Sequence, residues 1–194
     1  MGRKKVISDE QVLAIARDMF TEHGHTVSTK DIALAAGVSE STLFQRFDTK
    51  ADLFFDAMVP PAFDLTAFDA AHGCASPMES VQAMMVALVD YFRSLTPILL
   101  QLMTHPDFNF EHFAARHPDS PLVHIRLGLV GQLEQLRDQG HLSVDDPSPT
   151  ALTLIATAHS LAIFERLNVH GGHFPDEVLH AIVSQLWAGI GNNN

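Results

Sequence analysis

Residues 28–50 read Ser28-Thr-Lys-Asp-Ile-Ala-Leu-Ala-Ala-Gly-Val-Ser-Glu-Ser-Thr-Leu-Phe-Gln-Arg-Phe-Asp-Thr-Lys50. Their spacing predicts a short helix, a tight turn and a second helix. Ser28 is a residue type that caps helix N-termini, and Asp31 falls in the first turn, where a carboxylate meets the positive end of the helix dipole. Ile32, Ala35 and Ala36 are expected to form the inner face, the alanines being small enough for close helix approach. Gly37 supplies the turn, Val38 plugs the core, and Ser39 caps the second helix. Leu43 and Phe47, four residues apart, are its buried face. Ser39, Glu40, Ser41, Thr42, Gln45 and Arg46 are left outside, short side chains first and longer ones later. A helix exposed in this way fits the DNA major groove. Its free N–H groups attract phosphate without any need for positive charge.

The same helical grammar extends in both directions. Upstream, Ser8 and Gln11 have capping-box spacing, Val12, Ile15, Met19 and Phe20 share one face, and Gly24 stands where a helix ends. Downstream, Ser76-Pro77, Thr96-Pro97, Ser120-Pro121 and Ser148-Pro149 each pair a capping hydroxyl with a proline suited to the first helical position, and Phe174-Pro175 repeats the proline. The helix after Ser76 carries Met78, Val81, Met85, Leu88, Phe92 and Leu95 as a core stripe. The helix after Ser120 carries Leu122, Ile125, Leu129, Leu133 and Leu136, and ends near Gly140. The helix from Ser148 to about Val169 is apolar or small on most faces and requires cover on several sides, which a partner subunit would provide. Residues 60–75 form a composition break and residues 106–118 an irregular stretch. The fold class is all-α: a three-helix helix-turn-helix domain over 1–58 and a larger helical domain over 59–194.

Composition narrows the function classes. The 194 residues are 46% hydrophobic and 18% charged, enough apolar material for a packed core. One cysteine, Cys74, excludes an intramolecular disulfide framework. The longest apolar-leaning run, 151–164, falls short of a membrane span. The opening Met-Gly-Arg-Lys-Lys leads into no apolar signal core. The expectation is a soluble cytoplasmic protein without membrane contact. The net charge is −11, unevenly spread: residues 1–56 hold seven Lys and Arg against nine Asp and Glu, and no lysine follows Lys50. Sequence-blind DNA binding, which rests on phosphate neutralisation, fits poorly with such a chain. A local reading face remains compatible with it.

Residues 8–58 resemble the N-terminal domain of the TetR family of bacterial transcriptional regulators. The resemblance rests on Phe20-Thr-Glu-His-Gly24, Asp31-Ile-Ala, Ala36-Gly-Val-Ser39, Thr42-Leu-Phe44, Phe47, and Lys50 followed by Leu53-Phe54. It implies phosphate contacts by Ser28, Lys30, Ser39 and Lys50. It places Glu40, Ser41, Thr42 and Gln45 at or near base edges, with Arg46 beside them. Phe44 departs from the tyrosine common in the family and so loses a hydroxyl contact to phosphate, leaving packing and sugar contact. Arg3, Lys4 and Lys5 are a candidate arm along the DNA backbone. Arg17 and Asp18 read as a solvated face.

The resemblance further implies that the second domain binds an effector and forms a homodimer through helices near 149–169 and 175–190. Met84, Met103, Phe108, Phe110 and Phe113 are the candidate wall of an apolar effector site, with His159 as a polar contact. Met85 and Phe92 read as core. His105, Asp107, Glu111, His112 and His117 cluster in sequence, but the five-residue step from His112 to His117 does not stack on one helix face, so no metal site is assigned. No cofactor is implied. The expected partners are a double-stranded DNA operator and an unidentified small-molecule effector. No nucleophile elbow, phosphate loop or paired-cysteine motif marks an enzyme. The expected function is a ligand-responsive regulator acting as a repressor. The alternative is a helical metal or ligand sensor acting through protein contacts.

Overall fold

A computed structural model describes residues 7–191; Arg3, Lys4 and Lys5 lie outside the described residues. Ten α-helices carry the described chain. The first four are α1 (Asp9–His23), α2 (Thr29–Ala35), α3 (Glu40–Phe44) and α4 (Lys50–Ala57). There follow α5 (Thr66–Ala70), α6 (Pro77–Thr104), α7 (Phe110–Arg116), α8 (Pro121–Asp138), α9 (Ser148–Arg166) and α10 (Asp176–Ile190). Among the described residues the one β-type pairing is an isolated antiparallel bridge between Leu142 and Gly191. The chain divides into two compact units, 1–60 with 97–119 and 61–96 with 120–194, the division falling inside α6 before Pro97.

In the first unit, α1 opens with the expected capping box. The Ser8 hydroxyl accepts from the Gln11 N–H at 3.3 Å, and the Gln11 side chain accepts from the Ser8 N–H at 3.1 Å. Val12, Ala16 and Phe20 are buried, and Phe20 meets Phe54 of α4 edge to face at 5.0 Å between ring centroids. Ile32, Leu43, Phe47, Leu53, Ile98 and Leu102 complete this core. Arg17 corrects the expectation of a solvated face. Its Nε donates to the Ala57 carbonyl at 2.6 Å and so satisfies an unpaired group at the C-terminus of α4. Residues 106–118 are also more ordered than their composition suggests. Asn109 caps α7 by accepting from the His112 N–H at 2.9 Å, a side-chain cap of the kind Asn favours.

In the second unit, Val81, Met85, Leu88 and Phe92 of α6 are buried with Ile125, Leu129 and Leu133 of α8, Leu154 and Ala158 of α9, and Leu179 and Val183 of α10. Four helix-start assignments change. Ser120 stands at the N-cap of α8 but its hydroxyl makes no capping bond, and Pro175 is the N-cap of α10, not its first helical residue. Thr96-Pro97 does not begin a helix, because Pro97 lies inside the 28-residue α6. Proline removes the N–H that would bond Arg93, a defect worth about 3 kcal/mol in a helix interior. The helix continues because its apolar stripe is buried on both sides of the defect, at Leu95 and at Ile98 and Leu102, while Thr96 turns its hydroxyl back to the Phe92 carbonyl at 2.7 Å. At α9 the N-cap is Pro147 and Ser148 is itself the first helical residue, its N–H donating to the Asp146 carboxylate at 2.9 Å. Leu122, expected in the α8 stripe, is 45% exposed. By length and composition α6 is apolar enough to cross a membrane, contrary to the expectation that no run suffices. Half of its most apolar window is buried within the protein, as in a core helix.

Candidate nucleic-acid interface

The interface is built by α2, the turn at Gly37 and α3. Ser28 caps α2 by accepting from the Asp31 N–H at 3.3 Å, and Gly37 has φ of 68°, a conformation that glycine adopts without strain. Ser39 caps α3 by accepting from the Thr42 N–H at 3.1 Å, and its hydroxyl lies 2.8 Å from that of Ser41 and 2.7 Å from that of Thr42. The first turn of α3 is therefore a compact hydroxyl cluster. Leu43 and Phe47 are buried, as their spacing requires, and the turn persists past α3 through the Phe47 N–H to Leu43 carbonyl bond at 3.0 Å. On α2 the buried residues are Ile32, Ala33 and Ala36. Ala35 is exposed, so the helix is rotated from the expected inner face, and Leu34 points outward at 78% exposure.

Ser28, Lys30, Ser39, Glu40, Ser41, Phe44 and Gln45 are exposed, with Thr42 and Lys50 half-buried. Glu40 is not free-standing. The Thr29 hydroxyl donates to its carboxylate at 2.5 Å, tying the first turn of α2 to that of α3. Thr29 carried no signal of this role, since its partner is eleven residues away. Arg46 is turned the other way. Its Nη1 donates to the Ile7 carbonyl at 2.9 Å and to Asp9 at 3.1 Å, so it braces the start of α1. Lys50 opens α4 under the Thr49 cap, which accepts from the Asp52 N–H at 3.0 Å. Close to Lys50, the His105 ring packs on Phe54 at 4.5 Å, tilted by 32°, and meets His25 edge to face at 5.2 Å. Burial first, then the His25 and Lys50 charges, holds His105 below the usual histidine range, against a counter-pull from Asp107. Its Nδ1 accepts from the Asp107 N–H at 3.1 Å, a bond that requires that nitrogen to be unprotonated.

Residues 12–57 match the tetR family of bacterial regulatory proteins. The likeness to TetR-family regulators covers the fold of the rest of the chain as well. A protein from Mesorhizobium loti MAFF303099 assigned to the TetR family of transcriptional regulators superposes with a TM-score of 0.77 at 16% identity, over 95% of this chain and 96% of that one. A transcriptional regulator from Saccharomonospora viridis in complex with choline gives 0.68 at 20% identity, over 95% and 97%. The SmeT–triclosan complex gives 0.65 at 16% identity, over 95% and 92%. No curated protein matches in sequence. At such identities the superpositions establish a shared TetR-like fold: an N-terminal helix-turn-helix domain followed by a helical domain. Regulators of this family are DNA-binding proteins, and repressor action and homodimers are typical of them.

The candidate effector residues are divided between the two compact units. Met84 is fully buried in the second, as is the Phe92 ring that meets half-buried His159 edge to face at 5.1 Å. Phe108 and Phe113 pack against the core of the first unit, 5.9 Å apart, while Phe110 and Met103 are 73% and 68% exposed. Periodicity placed these side chains on helices without specifying which core each helix end would join.

Proposed function

We propose that the protein is a homodimeric transcriptional repressor that binds a near-palindromic operator and releases it on binding a small-molecule effector. The observation that carries this reading is the α2–Gly37–α3 unit, whose buried Leu43 and Phe47 leave a short polar face at the start of an exposed helix. Ser41, Thr42 and Gln45 reach base edges, Phe44 meets the sugar, and Ser28, Lys30, Ser39 and Lys50 contact phosphates. Glu40, bound to Thr29, has one carboxylate oxygen committed and sets the spacing of the two helix starts, while its charge opposes indiscriminate phosphate binding. Arg46 contributes by bracing α1. The 59–194 domain binds the effector and dimerises through α9 and α10, in keeping with the small molecules held by two similar structures, triclosan and choline. Such a regulator works in the cytoplasm.

Selection from a random double-stranded DNA pool by the purified protein tests the reading. The expected product is a near-palindrome with half-sites about one helical turn apart, roughly 34–36 Å. A selection that enriches nothing, from protein shown to be dimeric, moves the reading to a sensor acting through protein contacts.

A further inference from the structure

Residues 61–73 cross the second unit as a strap of short elements: the five-residue α5, opened by Asp64 accepting from the Thr66 N–H at 3.0 Å, and one 3₁₀ turn, Ala71–Gly73. Side chains of the helices beneath hold it in place. The Tyr91 hydroxyl donates to the Pro61 carbonyl at 2.9 Å, the Ser80 hydroxyl to the Ala71 carbonyl at 2.8 Å, and the Gln132 amide nitrogen to the Asp69 carboxylate at 3.0 Å. The approach to α8 is close, since a Cβ at Gly128 would come within 2.7 Å of the Leu65 side chain. One turn further along both elements, Gln132 meets Asp69.

Gln132 is 8% exposed, yet its carbonyl oxygen is buried without a hydrogen-bond partner. Native interiors rarely leave such an acceptor unpaired. Beside it runs a chain of rings: Phe68 to Phe63 at 4.8 Å, Phe63 to Tyr91 at 5.3 Å and Tyr91 to Phe92 at 5.5 Å. Burial pushes the Tyr91 hydroxyl up to about 12, so it remains a neutral donor and adds no charge. The unit around it carries eleven Asp and Glu against four Arg and no Lys. An unpaired carbonyl, an adjacent carboxylate and ring faces in an acidic setting together select one chemistry: a positively charged hydrogen-bond donor on an apolar body.

We infer that the strap covers the effector site and that the effector is an alkyl- or arylammonium compound, its N–H groups donating to the Gln132 carbonyl and the Asp69 carboxylate and its apolar body lying along Phe63, Phe68 and Tyr91. The inference rests on the proposed effector response and specifies its ligand class. Binding lifts the strap and supplies the donor that Gln132 lacks.

Titration calorimetry of the full chain at pH 7 with octylammonium, 1-octanol and octanoate isolates the head group at constant chain length. Octylammonium is expected to bind at least tenfold more tightly than the other two. Gln132→Leu and Asp69→Asn, each checked for an intact thermal transition, are each expected to remove about tenfold of that preference, weakening octylammonium far more than 1-octanol, whose single O–H makes only an uncharged bond to the same acceptors. Equal binding of the three probes, no binding of octylammonium, or a preference that survives in both variants overturns the inference. Retention of the selected operator is followed in the same titration. Octylammonium that binds through Gln132 and Asp69 without releasing DNA upholds the site and removes only the release step from the proposed function.

Discussion

Lys50 and Gln45 ask different things of DNA, and the difference is measurable. Lys50 carries a charge at the start of α4, so Lys50→Ala is expected to weaken binding to every sequence and to lower the salt slope by about 1. Gln45 is exposed at the end of α3 with an amide suited to a base edge. Gln45→Ala is expected to leave the salt slope unchanged and to relax preference at one base position, by about 1–3 kcal/mol. Binding isotherms over a salt series on the selected operator and its single-base variants separate the two. If both variants bind like the parent, α3 is not the reading helix.

Glu165 of α9 gathers a cluster of donors in the second unit. Its side chain is 4% exposed and accepts from Arg93 Nη2 and Nε, both at 2.8 Å, from the Phe174 N–H at 2.7 Å and from His173 at 2.8 Å. The Arg93 guanidinium first, then the Phe174 N–H and His173, pulls its carboxyl down to about 2, against the opposing effect of burial. A carboxylate whose folded value lies below its ordinary value of 4.5 stabilises the fold above that pH and loses the contribution as pH falls towards 2. The shift corresponds to about 3 kcal/mol. Glu165→Gln is therefore expected to cost about 2–4 kcal/mol at pH 7. It should also flatten the acid limb of a urea-denaturation series between pH 4.5 and 2. An unchanged pH profile would show that the pair contributes nothing net.

At the scale of the element, what was legible in the sequence was what short-range hydrogen bonding dictates. The capping box at Ser8, the caps at Ser28 and Ser39 and the positive φ at Gly37 each involve groups within four residues of one another, so residue type and spacing suffice to read them. Capping signals failed where tertiary burial opposed them. Thr96-Pro97 has the local form of a helix start, yet buried Leu95, Ile98 and Leu102 carry α6 through it. Long-range partners left no trace. Nothing near Arg17 announces the Ala57 carbonyl forty residues away, and nothing near Arg46 announces Ile7. Composition could identify ring-bearing residues for an effector site, but not that Phe108 and Phe113 would join the first unit's core.

The Arg17 bond gives the element scale its own test. Arg17→Met keeps the apolar stem of the side chain and deletes only the donor, leaving the Ala57 carbonyl at the end of α4 without it. The expected loss is about 1–2 kcal/mol in chemical denaturation. Because α4 begins with Lys50, a loosened α4 is also expected to weaken operator binding by a few-fold. Arg17→Lys, which retains a donor on a flexible stem, should recover part of both. A stability loss in Arg17→Met that Arg17→Lys matches in full would mean that guanidinium geometry, not the mere presence of a donor, sets the end of α4.

At the scale of the whole molecule, the apolar surface left on α9 and beyond it calls for cover. Leu152 is 60% exposed, Phe164 44%, Leu167 64% and Val169 67%, and α10 leaves Ala181, Ala188 and Gly189 exposed as small residues that permit close approach. Scattered exposed leucines need no explanation, but large apolar side chains on α9 and just past its end, together with exposed small residues on α10, match the composition of a homodimer interface. The 21.3 kDa chain is accordingly expected to sediment as a dimer. Replacing Leu152 and Leu167 together by glutamate puts like charges on both sides of such an interface, since a two-fold interface is built from the same patch of each subunit. The double variant is expected to sediment as a folded monomer, with its helical circular dichroism retained. Operator binding should then fall by about 10²–10³-fold, because the second half-site is no longer engaged at the effective concentration set by the dimer. An isolated half-site should be bound as before. A double variant that remains dimeric would place the interface elsewhere, and a monomer that keeps full operator affinity would mean that the two reading heads do not act together.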